Sequence, residues 1–124
     1  MSTRSILVAL LVGLVLLGSG RAPAAAEQGV TDTEILLGGS NSFSGPLAFT
    51  GTQLTKMGVD LYFRVLNDAG GVHGRKIRTI YYDDGYRPQD AVANTKKLVE
   101  QDGIFAVIAP QGSPPVVALS LIHI

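Results

Sequence analysis

The sequence predicts an α/β fold, a three-layer doubly wound parallel sheet whose strand order starts 2-1-3. Three observations predict it. Short apolar runs alternate with segments of helical periodicity in the order β-α-β-α-β, and the connections between them are short. The last run, "IFAVIA" (104–109), is apolar on both faces, as a parallel strand covered by helices requires. Crossovers between parallel strands are right-handed, so helices on opposite faces send strands two and three to opposite sides of strand one.

The first strand is "EILLGGS" (34–40), a short apolar run closed by glycines. Residues 52–69 carry helical spacing: Leu54, Met57, Leu61 and Val65 form an apolar stripe that Gly58 and Tyr62 widen. Thr52 is the expected N-cap, and Gly70 and Gly71 end the helix because they tolerate positive φ. In "VHGRKIRTIYYDD", Ile77, Ile80 and Tyr82 fit a second strand, with Lys76 and Arg78 on its solvent side. Pro88 opens a second helix, where its missing N–H costs nothing. Ala91, Val92, Thr95, Leu98 and Val99 make its inner stripe, and Gly103 stops it. Asp90 near its start and Lys96 and Lys97 near its end suit the helix dipole. After "IFAVIA", the stretch "PQGSPP" breaks the strand and "VVAL" starts a further helix.

In this order strands one and three are neighbours whose chains leave in opposite directions, and ligands sit in the crevice at the carboxyl ends of such strands. Two loops face it: "SFSGPLAFTG" (42–51) leaves strand one, and "APQGSPP" (109–115) leaves strand three. Phe49 is either folded onto the core or an apolar wall for a ligand. Thr50 and Gly51 are either hydrogen-bonding partners or the turn into the helix. Ser113 caps the last helix or holds a polar group of the ligand with its hydroxyl and N–H, and the two roles are compatible.

The totals exclude several function classes. The 124 residues suffice for at most one small domain. A formal net charge of zero gives no basic footprint for nucleic acid. The absence of cysteine excludes disulfides, thiolate chemistry and cysteine-ligated metals. His73 and His123 lie far apart, with no second histidine at metal-ligand spacing, so no metal and no cofactor are expected. No G-x-S-x-G elbow, phosphate loop or dinucleotide fingerprint is present, which argues against an enzyme. "DAGGVHG" is glycine-rich but ends a helix rather than starting one. Asp83 and Asp84 form the only adjacent carboxylate pair. With no histidine or third acid nearby, the favoured role for Asp84 is to accept hydrogen bonds from N–H groups near the start of the Pro88 helix.

The N-terminus has a separate purpose. Arg4, the uncharged apolar stretch that follows it, and an A-x-A pattern at Ala24 and Ala26 make residues 1–26 a secretory signal peptide. Cleavage is expected between Ala26 and Glu27. The strongly apolar part, residues 6–17, is shorter than the roughly 20 residues of a bilayer span. Cleavage takes Arg4 and Arg21 from the ten basic residues and leaves the ten acidic ones, a mature net charge of −2.

The stretches "ILLGGSNSFSGPLAFTG", "LNDAGGVHGRKI" and "YYDDGYRPQDAVANTKKLVEQDGIFAVIAPQGS" resemble, in order and spacing, the N-terminal lobe of periplasmic leucine/branched-chain amino-acid-binding proteins. The resemblance covers about residues 30–118 and rests on S-G-P…G, N-x-x-G-G-x-x-G-R and D-D-x-x-x-P taken together. It implies a truncated first lobe of the type I periplasmic-binding fold, within residues 27–119. It implies a monomer that captures a small solute in the periplasm and delivers it to a membrane ABC permease. The alternative is the ligand-sensing ectodomain of a membrane receptor with the same lobe. Carried over by position, the resemblance implies that Phe49 and Thr50 lie where the family presents a side chain to the ligand, and Gln111, Gly112 and Ser113 where amino-acid binders hold the ligand's carboxylate. One departure is that Pro114 and Pro115 remove two N–H groups from the start of the last helix. The solute classes that remain are amino acids, amides and small carboxylic acids. The family would continue with charged residues where this chain ends in "SLIHI", so residues 120–124 are expected to be a non-native tail.

Overall fold

The structure is a computed structural model that describes residues 27–122. The signal-peptide assignment and the cleavage after Ala26 fall outside the described residues, as do the last two residues of the expected tail.

Three parallel strands form one sheet in the order β2-β1-β3. Central strand β1 (Glu34–Asn41) pairs along its whole length with β2 (Lys76–Asp83), from Glu34 opposite Lys76 to Asn41 opposite Asp83. On its other side it pairs with the short β3 (Ala106–Val107). The predicted 2-1-3 order is therefore the observed one. The third strand is shorter than expected, although its bonding to β1 continues from Phe105 N–H to Leu36 O and from Ile108 N–H to Gly38 O, both 2.8 Å. It ends where Ala109 takes a positive φ of 48° and turns the chain away.

Alternation along β1 separates two faces. On one, a Cβ at Gly38 would lie 2.8 Å from Ile104 Cδ1 and 2.8 Å from Leu98 Cδ2, so only a glycine lets those side chains reach the sheet. This face carries helix α2 (Pro88–Glu100), which packs against helix α3 (Ser113–Ile122). Ala91, Leu98, Ile104 and Leu119 are buried in the core. Pro88 occupies the first turn of α2, as predicted, and Gly103 ends the segment with φ 66°. On the other face Gly39 lies beside Tyr81, and Lys56 Nζ sits 5.2 Å from the centre of the Tyr81 ring. Here lies helix α1 (Met57–Asp68).

Two expectations about α1 are corrected. Thr52 is not its N-cap: a 3-10 turn at Gly45–Leu47, with Pro46 in its first positions, starts helical backbone earlier. A π-helical stretch, Thr50–Lys56, then runs straight into α1. Proline's fixed φ suits that early start. The apolar stripe of Leu54, Met57, Leu61 and Val65 also points outward, each residue more than half exposed, together with Tyr62. Val59, Phe63 and Leu66 are half-buried instead. The helix is apolar on two sides, so periodicity alone does not choose the inner one. Its end is fastened by Asn67, whose side chain bonds both the N–H of Ile77 (2.7 Å) and its carbonyl (2.8 Å) at the start of β2. Gly70 and Gly71 follow with φ of 109° and 77°.

Candidate functional site

The loops that leave β1 and β3 meet, as the topology requires, and Asn41 joins their origins. This fully buried last residue of β1 donates from Nδ2 to the carbonyl of Ala109, 2.5 Å away, just beyond β3. Further out, Gly51 is the point of closest approach. A Cβ there would be 2.0 Å from the carbonyl oxygen of Ser42 and 2.9 Å from Gln111 Oε1. The helical segment after the first loop is thus pressed against both loops, which is possible only without a side chain.

Of the expected ligand-binding residues, Gln111 is the most constrained. Its Oε1 is buried and has no donor partner among the described residues. A buried acceptor left unpaired costs about 1–3 kcal/mol, so this oxygen lacks the donor that would satisfy it. Gly112 is half-buried with φ 85°, a conformation that suits glycine. Ser113 is exposed and is the first residue of α3. Among the described residues, the N–H groups of Gln111, Gly112 and Ser113 make no hydrogen bond inside the protein. Thr50 is half-buried at the start of the π-helical stretch, and Phe49 beside it is 70% exposed. Phe49 is therefore not folded onto the core. The structure brings Gly51 and Gln111 together and leaves Phe49 and Ser113 open to solvent.

The carboxylates beneath these loops have structural partners. Asp84 is fully buried and accepts from Ser42 Oγ at 2.8 Å, Tyr86 N–H at 2.9 Å and Ser40 Oγ at 2.9 Å. One of these partners is an N–H of the loop, as expected. The two serine hydroxyls were not foreseen: nothing in "SNS" at 40–42 signals that residues more than forty positions later share their face. Asp83 accepts from the N–H groups of Phe43 (2.9 Å), Gly85 (2.9 Å) and Ser44 (3.2 Å). Burial acts to raise its pKa, but the Ser44 hydroxyl and these N–H groups outweigh it and hold the carboxyl below the usual range. Both acids thus clasp the first loop to β2. No cluster of three metal-binding side chains occurs among the described residues.

A central strand with two loops converging beyond its carboxyl end agrees with what the chain resembles. The family model described as periplasmic binding protein matches residues 34–122. The chain belongs to the periplasmic binding protein family.

The "Leu/Ile/Val-binding protein homolog 1" of Brucella abortus is 32% identical over 106 residues, 86% of this chain and 28% of that protein. An "Amino acid binding protein" of Pseudomonas aeruginosa is 33% identical over 75 residues, 60% of this chain and 20% of that one. Among solved structures, the fatty acid ABC transporter substrate-binding protein from Thermomonospora curvata superimposes with a TM-score of 0.68 at 33% identity, covering 83% of this chain and 26% of that one. The branched-chain amino acid transporter substrate-binding protein LivJ of Streptococcus pneumoniae, in complex with isoleucine, gives 0.66 at 31% identity, covering 69% and 24%. The fold is that of type I periplasmic binding proteins. The chain spans between 20% and 28% of the length of these relatives, which are binding proteins rather than enzymes.

Proposed function

We propose that the protein is the extracytoplasmic solute-binding component of an ABC importer. Its solute is a small polar molecule: an amino acid, an amide or a small carboxylic acid. The observation that carries this reading is the meeting of the two loops at Gly51 and Gln111, with a buried acceptor and neighbouring loop N–H groups that have no partner among the described residues. A solute with an N–H or O–H donor and a carbonyl or carboxylate satisfies both. In this reading Gln111 Oε1 accepts from the solute, while the N–H groups of Gly112 and Ser113 and the Ser113 hydroxyl donate to its oxygen at the start of α3. Phe49 forms an apolar wall and Thr50 offers a hydroxyl at the rim. Pro114 and Pro115 supply no N–H, so the oxygen is held by fewer donors than a helix start ordinarily offers. The partners are a membrane permease and the solute, and the mature chain is a periplasmic monomer starting near Glu27.

The test is a thermal-shift screen of the full-length protein against amino acids, amides and small carboxylic acids. A bound solute at a hundredfold excess over its Kd stabilises by about 2.7 kcal/mol. Ser113→Ala should then weaken binding of the active solute by about one to two decades, since a buried solute atom loses its partner. It should leave the unliganded protein's melting temperature unchanged, because the side chain is exposed. No stabilisation by any of the three classes, or full affinity in Ser113→Ala, contradicts the assignment.

A further inference from the structure

Tyr86 belongs to neither crevice loop; it follows β2, beyond the far side of β1. Yet its ring lies against Gly112. A Cβ at Gly112 would come within 2.2 Å of Tyr86 Cε2 and 2.8 Å of Cδ2, so the ring occupies the space a side chain would need. Both residues take positive φ, 67° at Tyr86 and 85° at Gly112. Positive φ is uncommon for a bulky residue and marks a backbone that its surroundings hold in place.

What holds Tyr86 is the buried carboxylate beneath it. Its N–H donates to Asp84 Oδ1 at 2.9 Å, and Asp84 is itself fixed by the Ser40 and Ser42 hydroxyls of the central strand. A continuous set of contacts therefore runs from β1 through Asp84 and the Tyr86 ring to Gly112. The loop at its far end has few hydrogen bonds of its own among the described residues. Pro114 and Pro115 carry no N–H, and among the described residues the N–H groups of residues 111–113 are unbonded and the Gly112 carbonyl accepts only from Val116 N–H, at 3.0 Å. Packing takes the place that hydrogen bonds have at an ordinary helix start.

We propose that Tyr86 is a positioning residue of the crevice: its ring, seated on Gly112, holds residues 111–113 and the first turn of α3 in register with the loop that leaves β1. The contact stands on its own geometry, and only its value for a solute rests on the function proposed above. The phenol hydroxyl plays no part; the ring is what positions. Removing the ring frees the loop and the start of α3 without disturbing the β1–β2 pairing, since the Asp84 bonds use the Tyr86 backbone.

The experiment uses the full-length protein, labelled for NMR, as wild type, Tyr86→Phe and Tyr86→Ala. The Gly112 α-proton that points at the ring should show a ring-current shift in wild type and in Tyr86→Phe, and lose it in Tyr86→Ala. Amide exchange at Val116 and Val117, whose partners lie in this loop and first turn, should rise about tenfold in Tyr86→Ala and stay within about twofold in Tyr86→Phe. Exchange in β1 should stay at its wild-type rate in both. An unshifted Gly112 proton in wild type, a phenylalanine variant that behaves like alanine, or exchange that rises equally in β1 overturns the proposal. A solute screen that finds nothing while these shifts appear counts against the function and leaves Tyr86's role standing.

Discussion

Asp84→Asn tests the frame beneath the crevice. The wild-type carboxylate is fully buried and accepts three hydrogen bonds, two from serine hydroxyls and one from the Tyr86 N–H. Asparagine offers one acceptor oxygen and turns the other position into a donor. If the oxygen stays on Ser42 and Tyr86, the new NH2 faces Ser40 Oγ, which already accepts from Asn94 Nδ2 at 3.2 Å. The Ser40 hydroxyl proton then loses its partner. Hydrogen bonds to a charged group contribute about 1.5–3 kcal/mol each, and a buried donor left unpaired adds about 1–3 kcal/mol. The expected loss is about 3 kcal/mol, which lowers the melting temperature by several degrees. Scanning calorimetry measures it, and titration of the purified variant with whichever solute the screen identifies measures affinity. Affinity should change much less than in Ser113→Ala. A variant that melts like wild type but no longer binds would put Asp84 in the site itself and refute the reasoning.

Further outcomes follow from other contacts. Gly51→Ala should destabilise the protein and abolish solute binding together, because its Cβ would stand 2.0 Å from the Ser42 carbonyl; a variant with normal melting and affinity shows that the loops have room to separate. Asp83 has a depressed folded pKa, so its contribution to stability is present above the ordinary value of 3.8 and fades as pH falls through the lower folded value. Asp83→Asn should therefore flatten the acid limb of denaturation midpoint against pH below about 4, and only modestly, since the residue is exposed; an unchanged limb refutes it. Produced alone, residues 27–124 should bind a hydrophobic dye and melt with weak cooperativity, because Leu54, Met57, Leu61, Tyr62 and Val65 lie exposed on one helix. A sharp transition without dye binding contradicts this.

The sequence by itself determined the order of elements, the parallel sheet and its 2-1-3 start. Those rest on local periodicity, on proline and glycine at helix ends, and on the fixed handedness of crossovers, all of which are written in neighbouring residues. From that order it also followed that the segments 42–51 and 109–115 face one crevice. What the tertiary structure decided is which side of an element faces inward and what meets across the fold. The first helix has apolar residues on two faces, and only packing against the sheet selects Val59, Phe63 and Leu66 over Leu54, Met57, Leu61 and Val65. Ser40, Ser42 and Asp84 look unrelated along the chain, yet pairing of Asn41 with Asp83 sets the ends of β1 and β2 side by side and closes the bonds among them. Gly112 likewise reads as a loop glycine until the Tyr86 ring is found in the space of its absent side chain. Contacts between residues tens of positions apart depend on register and on the paths of loops, and no local pattern encodes either.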